Sequence, residues 1–241
     1  MKELIGAAIA AGATMAGVGV ANAGVAGSIQ VTSDYVFRGL SLNNNDPAFQ
    51  GGVDWGNDGF YVGTWGSTVV DGIEVDVYAG WTPKTGPVSW DLGVISYNYP
   101  GAHDSPGARF DFYELKAAGS MDIMEHIILG AALYYSPANY GGTGHATYWE
   151  ANGVYTVNDA LNFTAAFGNQ EIQDADGPGP VVTHSSNYNT WNIGATYTWR
   201  GFEFDLRYHD TDIKAGSDIE HYTYGPSSYH AGVNFTIKRA L

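Results

Sequence analysis

Thr190-Trp191-Asn192-Ile193-Gly194-Ala195-Thr196-Tyr197-Thr198-Trp199-Arg200-Gly201-Phe202-Glu203-Phe204-Asp205-Leu206-Arg207-Tyr208-His209 holds two alternating runs that meet at Arg200-Gly201. Trp191, Ile193, Ala195, Tyr197 and Trp199, then Phe202, Phe204, Leu206 and Tyr208, share one parity. Asn192, Gly194, Thr196 and Thr198, then Glu203, Asp205, Arg207 and His209, share the other. Successive strand side chains point to opposite faces, so this hairpin has one apolar and one strongly polar face. A soluble sandwich would alternate in the same way, with the apolar face turned inward. The aromatic placement separates the two cases. Trp191 and Trp199 bracket the first strand, roughly 26 Å of extended chain apart. Strand tilt brings that close to the height of an apolar membrane band edged by aromatic girdles.

The chain of 241 residues has no cysteine, 33 glycines and 17 tyrosines, and nothing in it marks a linker. A disulfide framework and thiol-ligated metals are excluded. At the N-terminus, Lys2 precedes an apolar run from Leu4 to Val20, and Ala21-Asn22-Ala23 is a small-x-small cleavage site. This pattern predicts a secretory signal peptide over 1–23, leaving 24–241 as a single domain. The competing reading is an uncleaved anchor, but the run is short and glycine-rich for a span of ~20 apolar residues. No later segment approaches such a span, so membrane insertion must be by strands. The net charge of -15, from 25 acidic and 10 basic residues, argues against nucleic acid as a partner.

Ser28 to Leu42 reads as a first strand, with Ile29, Val31, Tyr35 and Phe37 on one parity and Gln30, Thr32, Asp34 and Arg38 on the other. Further strands are predicted over 49–55, 60–67, 73–81, 88–97, 109–118, 127–136, 146–155, 161–170, the two arms of the quoted hairpin, and 228–238. The phase of the third and sixth is ambiguous, since Tyr61 and Trp65 compete with Phe60 and Val62, and Phe110 and Phe112 share parity with Glu114. The run Thr32-Ser33-Asp34-Tyr35-Val36-Phe37-Arg38-Gly39, then Pro47-Ala48-Phe49-Gln50-Gly51-Gly52 and Gly59-Phe60-Tyr61-Val62-Gly63-Thr64-Trp65-Gly66-Ser67, resembles the TorF porin family. That likeness continues through Glu74 to Trp81, the segment ending in Tyr99-Pro100-Gly101, and Glu114. It implies a bacterial outer-membrane β-barrel.

The connections carry an argument independent of the resemblance. Counting from the first, the odd ones (42–48, 98–108, 137–145, 171–189 and 210–227) are long and polar or glycine-rich. The even ones (56–59, 82–87, 119–126, 156–160 and 200–201) are tight, and only 68–72 breaks the pattern. An outer-membrane barrel has short periplasmic turns and longer external loops, whereas a soluble meander has no reason to sort loops by parity. Trp55, Trp81, Trp90 and Trp199 fall beside even connections, as a periplasmic girdle would, and Trp191 stands at the other end of its strand. The last strand alternates as a closing strand should, although the chain runs on to Leu241 rather than finishing on an aromatic residue.

The expected fold is therefore all-β: a transmembrane, antiparallel, up-and-down barrel of about twelve strands, in the outer membrane of a Gram-negative bacterium. Barrels of about this size are narrow enough for lumen side chains to control passage. The expected function is a channel for passive diffusion of small hydrophilic solutes, favouring cations. Asp34, Arg38, Glu150, Glu203, Asp205, Arg207, His209 and His230 are the expected pore-lining residues. Asp54, Glu74, Asp76 and Asp91 add to an acidic interior.

One alternative is a plugged barrel whose external loops bind a ligand or a partner. A third reading, an outer-membrane hydrolase, has only His184-Ser185-Ser186 and the set Asp205, His209 and His230 to recommend it, and no serine shares the latter's face. Asp210-Thr211-Asp212-Ile213-Lys214 and Asp174-Ala175-Asp176-Gly177 are fragments of calcium-loop patterns, with lysine where an oxygen ligand belongs in the first. No cofactor or metal is expected. The expected partners are outer-membrane lipid, small hydrophilic solutes and the barrel assembly machinery, and the sequence leaves the oligomeric state open.

Overall fold

The computed structural model describes residues 24–70, 72–102, 110–173, 186–223 and 225–241. The expected signal peptide, His184, Ser185 and the 174–177 fragment lie outside the described residues. Among these residues, twelve long strands form the sheet: β1 Gly24–Thr32, β2 Ala48–Asn57, β3 Phe60–Val69, β4 Gly72–Trp81, β5 Val88–Asn98 and β6 Phe112–Met124. The second half is β7 Ile127–Ser136, β8 Ala146–Asn158, β9 Leu161–Ile172, β10 Ser186–Trp199, β11 Phe202–Thr211 and β12 Gly232–Ala240.

Each strand pairs antiparallel with the next, and β1 pairs with β12 from Ser28↔Ala240 to Thr32↔Thr236, so the sheet closes on itself. Closure gives every strand two hydrogen-bonding neighbours, the condition for carrying β structure through lipid. A two-residue pairing of Lys84–Thr85 with Val88–Ser89 trims the turn between β4 and β5.

The alternation seen in the sequence now has a direction. Ile193, Leu206 and Val233 are each more than half exposed on the outer surface, in one belt with Phe49, Leu115, Leu133 and Phe163. A contiguous apolar belt of this kind would not stay dispersed in water; it fits hydrocarbon. Trp55, Trp81, Trp90 and Trp199 lie in this outer surface near the tight-turn end, where Phe60 stacks on Trp81. Trp191, partly covered, and Trp149 stand towards the other end, each registered near Phe167.

Both ambiguous phases are resolved. On β3, Phe60 and Val62 face out while Trp65 is buried inside; on β6, Phe112 and Glu114 face in while Tyr113 and Leu115 face out.

Several boundaries differ from the expected ones. β6 runs through Gly119-Ser120 to Met124, and β8 continues to Asn158, because small and polar residues that resemble a turn are held in register by the neighbouring strand. β12 begins at Gly232, which leaves His230 in the preceding connection. The largest difference is in the first strand. It ends at Thr32 rather than Leu42, and residues beyond it leave the wall altogether.

The even connections are the tight ones, and two of them are two-residue turns with both residues left-handed: Asp58 (φ 52°) with Gly59 (φ 81°), and Arg200 (φ 51°) with Gly201 (φ 79°). This geometry matches the right-handed twist of paired strands.

Candidate functional site

After Thr32 the chain turns inward. The Thr32 hydroxyl donates to the Asp34 carbonyl, and Ser41 Oγ donates to the Asp34 carboxylate, which tie the two ends of a short hairpin together. Val36–Phe37 pairs with Leu40–Ser41, and the turn between them is Arg38 (φ 51°) and Gly39 (φ 83°). This is the same Arg-Gly turn with the same signs as Arg200-Gly201, and each follows an aromatic residue and precedes an apolar one. A side chain on Gly39 would collide with Thr190 and Thr211, its Cβ falling 2.4 Å from Thr211 Cγ2. The tip therefore presses against the inner wall.

The contacts of this hairpin reach most of the way around the barrel. Tyr35 packs edge-on against Trp65 of β3 and donates to Glu74 of β4 at 2.7 Å. Phe37 meets Tyr97 of β5. The Arg38 guanidinium donates two bonds to Glu114 of β6, at 2.8 and 2.7 Å, and a third to Gln170 of β9 at 2.9 Å. Its face lies over Tyr134 of β7 and Tyr148 of β8, 5.0 and 4.3 Å from the ring centroids. Tyr188 of β10 donates to the Arg38 carbonyl. Bidentate pairing inside a ring of aromatic faces is a geometry that guanidinium can satisfy and ammonium cannot.

Apolar packing holds the hairpin in place. Tyr35, Ala48, Trp65, Tyr78, Ile95, Tyr97 and Phe112 form one buried cluster against the hairpin, and Leu40 joins Ala146, Ile172, Tyr188, Ile219 and Tyr229 in another. The second cluster draws in the long 212–231 connection, and Asn45 donates to the Ser227 carbonyl to link the two loops directly. The molecule's packed core thus lies within the lumen, in its long-loop half.

Toward the tight-turn end the inner face is polar and less covered. Arg207 donates to Asp205, Asn192 and Thr164, and Asp205 also accepts from Thr196. Lys238 faces Glu203 at 3.6 Å, and Lys116 pairs with Asp91 at 2.5 Å. Inward glycines make room for large neighbours: the Tyr78 ring, donating to Asp54 at 2.6 Å, lies where a Cβ on Gly63 would stand.

The expected lining residues are thus distributed as follows. Glu150, Asp205, Arg207 and His209 sit on inward strand positions, and Glu203 is at the tight-turn mouth. Asp34 and Arg38 are inside the barrel, but on the hairpin rather than on a strand face. His230 is exposed, its ring tilted against that of Tyr229. Asp205 is engaged by Arg207 and Thr196, His209 packs over Gly232, and no hydrogen bond joins them to each other or to His230. Asp210 and Asp212 accept from the backbone N–H of Thr211 and of Asn189. Among the described residues, no group of three acidic or histidine side chains converges as a metal site. Glu114 and Lys116 were not legible as lumen residues because the phase of their strand was ambiguous. Lys238 had the right parity but sits among the last few residues, where no partner is visible in sequence.

A closed twelve-stranded barrel with an apolar exterior and a charged, hydrogen-bonded interior defines the porin-like class of outer-membrane folds. Within it, the chain belongs to the family described as "Bacterial protein of unknown function (Gcw_chp)", whose profile matches residues 17–241. Among the solved structures that share the fold at low identity are two porins. The NanC porin superposes with a TM-score of 0.56 and 11% identity, over 90% of this chain and 98% of that one. The KdgM porin gives 0.55 and 9%, over 89% of this chain and 97% of that one. KdgM has also been solved in complex with disordered oligogalacturonate. Comparison with curated proteins gives no match.

Proposed function

We propose that the mature chain is an outer-membrane channel for small hydrophilic solutes, favouring cations, in which the inner hairpin sets the constriction. The observation that carries this reading is the pairing of a lipid-compatible outer belt with a charged inner wall that a single short hairpin crosses. The likeness to the TorF porin family, and the fold shared with NanC and KdgM, support it. The inner wall carries Asp54, Glu74, Asp76, Asp91, Glu114, Glu150, Glu203 and Asp205 against Lys116, Arg207 and Lys238, and the hairpin adds Asp34 and Arg38. An excess of one sign in a narrow, low-dielectric passage concentrates counter-ions. Outer-membrane lipid and the barrel assembly machinery are the partners such a chain requires.

The hairpin also favours a second reading, a plugged barrel that works through its external loops, because its tip is anchored to side chains from opposite sides of the wall. Planar-bilayer recording separates the two. A channel gives conductance steps in the native protein, and larger steps when residues 34–45 are replaced by a short Gly-Ser linker. A plug gives none in the native protein at any salt concentration and steps only in the shortened variant.

A further inference from the structure

We propose that Arg200 and Arg239 form a binding site for the headgroup phosphate of a membrane phospholipid, at the tight-turn rim of the outer surface. The turn that carries Arg200 is one of two copies of an aromatic-Arg-Gly-apolar sequence, Phe37-Arg38-Gly39-Leu40 and Trp199-Arg200-Gly201-Phe202. Both arginines are left-handed, at φ 51°, a conformation that asparagine, aspartate or glycine adopts more readily, and the equivalent turn between β2 and β3 uses Asp58. Both guanidiniums also lie over the ring of the preceding residue, Arg38 at 4.6 Å from the centroid of Phe37 and Arg200 at 5.0 Å from that of Trp199. The copies differ in the anion. Arg38 is completed by Glu114, whereas among the described residues no carboxylate pairs with Arg200.

A second guanidinium stands beside it. Arg239 of β12 donates to the Arg200 carbonyl at 2.5 Å and lies 4.8 Å over the ring of Phe202, the cross-strand partner of Trp199. It fills the space over Gly201, where a Cβ would fall 2.3 Å from its Nη1. Arg239 also has no carboxylate partner among the described residues, while Lys116, Arg207 and Lys238 are each paired with an acid inside the barrel. Two guanidiniums on neighbouring rings repel one another until an anion joins them. Their planar forks match the oxygens of a phosphate, which can accept from both at once.

The position selects the anion. Trp199 belongs to the tight-turn tryptophan girdle, which lies at headgroup depth. From the two arginines toward the middle of the belt, Phe202, Phe204 and Phe235 follow one another at centroid spacings of 6.4 and 6.5 Å, with Leu206 and Ile237 as their cross-strand partners. Acyl chains lie along that strip when the phosphate meets the arginines. Among the described strand residues that face outward, Arg239 is the only base, and the acids Glu171 and Asp210 stand at the opposite, long-loop end. This inference rests on the outer-membrane orientation of the barrel and not on solute passage.

The test is native mass spectrometry of the refolded chain released from micelles doped with dioleoylphosphatidylglycerol. The native chain is expected to retain this lipid about ten times better than the double variant Arg200→Asn with Arg239→Gln, in which asparagine keeps the turn and glutamine keeps part of the side-chain stem. Lys84→Gln removes another exposed base near the same end and should leave retention unchanged. Dioleoylglycerol, with the same chains and no phosphate, should be retained by neither protein. Equal retention in the native chain and the double variant, an equal loss in Lys84→Gln, or equal retention of dioleoylglycerol would overturn the proposal. Displacement of the lipid by millimolar inorganic phosphate would assign the site to a free anion and overturn the lipid as its ligand. If the double variant fails to fold, Arg200→Asn alone carries the same comparison, since asparagine suits that turn.

Discussion

Arg38 and Glu114 stand 76 positions apart in the chain and meet as a two-bond pair in the middle of the barrel, both almost fully shielded from solvent. One belongs to a hairpin tip and the other to the wall. The pair joins the only charged side chain at the turn of the inner hairpin to the sixth strand, with Gln170 and two tyrosine rings completing the guanidinium's surroundings.

Arg38→Met alone is expected to destabilise the folded barrel by about 3–5 kcal/mol, because Glu114 is left buried and uncompensated. The double variant Arg38→Met with Glu114→Gln should recover much of that loss. Urea unfolding in detergent reads the stability, and the same proteins in planar bilayers should show larger or noisier conductance. Equal loss in the single and double variants would mean that packing, not charge, holds the tip.

Gly39→Ala tests the approach of the tip to the wall. The left-handed φ of 83° and the overlap with Thr190 and Thr211 leave no place for a methyl group. The tip should withdraw while the wall stays folded, giving unchanged heat-modifiable migration on gels with increased conductance. Unaltered conductance in a folded variant would show that the tip position does not limit passage.

On the hairpin of β10 and β11, Ala195→Arg should destabilise the barrel while Thr196→Arg should be tolerated far better. Ala195 faces outward beside Phe163 and Leu206, where an arginine near the hydrocarbon midplane costs about 2–4 kcal/mol. Thr196 faces the lumen and donates to Asp205. Reversal of that order would place the apolar face inward and end the membrane reading.

Reversal potentials in a salt gradient should indicate cation preference, weakening at high salt as screening shortens. Changing Glu203→Gln and Asp205→Asn together removes the partners of Lys238 and Arg207, so the preference should fall or invert. Anion preference in the native channel would leave Arg38, Arg207 and Lys238 as the groups that define selectivity.

Residues 24–241 should fractionate with the outer membrane after loss of 1–23, with N-terminal sequencing beginning at Gly24. A soluble mature chain in the periplasm would contradict both the leader and the barrel assignment.

What the sequence determined by itself was the wall. Strand alternation, the sorting of long and short connections and the tryptophan positions are local or strictly periodic signals, and they survive because a closed sheet imposes one inside and one outside on every strand. Glu150, Arg207 and His209 could be assigned inward by parity alone. The tertiary structure decided what fills the lumen. Ser28 to Leu42 alternates well enough to read as one strand, and nothing local distinguishes Tyr35 turned to lipid from Tyr35 turned to Glu74. The Phe37-Arg38-Gly39-Leu40 turn had its counterpart in Trp199-Arg200-Gly201-Phe202, read correctly as a turn because a strand followed it on each side. Its meaning depended on partners up to 132 positions away, such as Gln170. Phase on β3 and β6 was undecidable for the same reason: an aromatic residue suits both a lipid-facing belt and a packed lumen. Trp65 packs on Tyr35 of the inner hairpin, and Phe112 stacks on Tyr97 and meets Tyr140 of the 137–145 connection, contacts made only once the barrel closes.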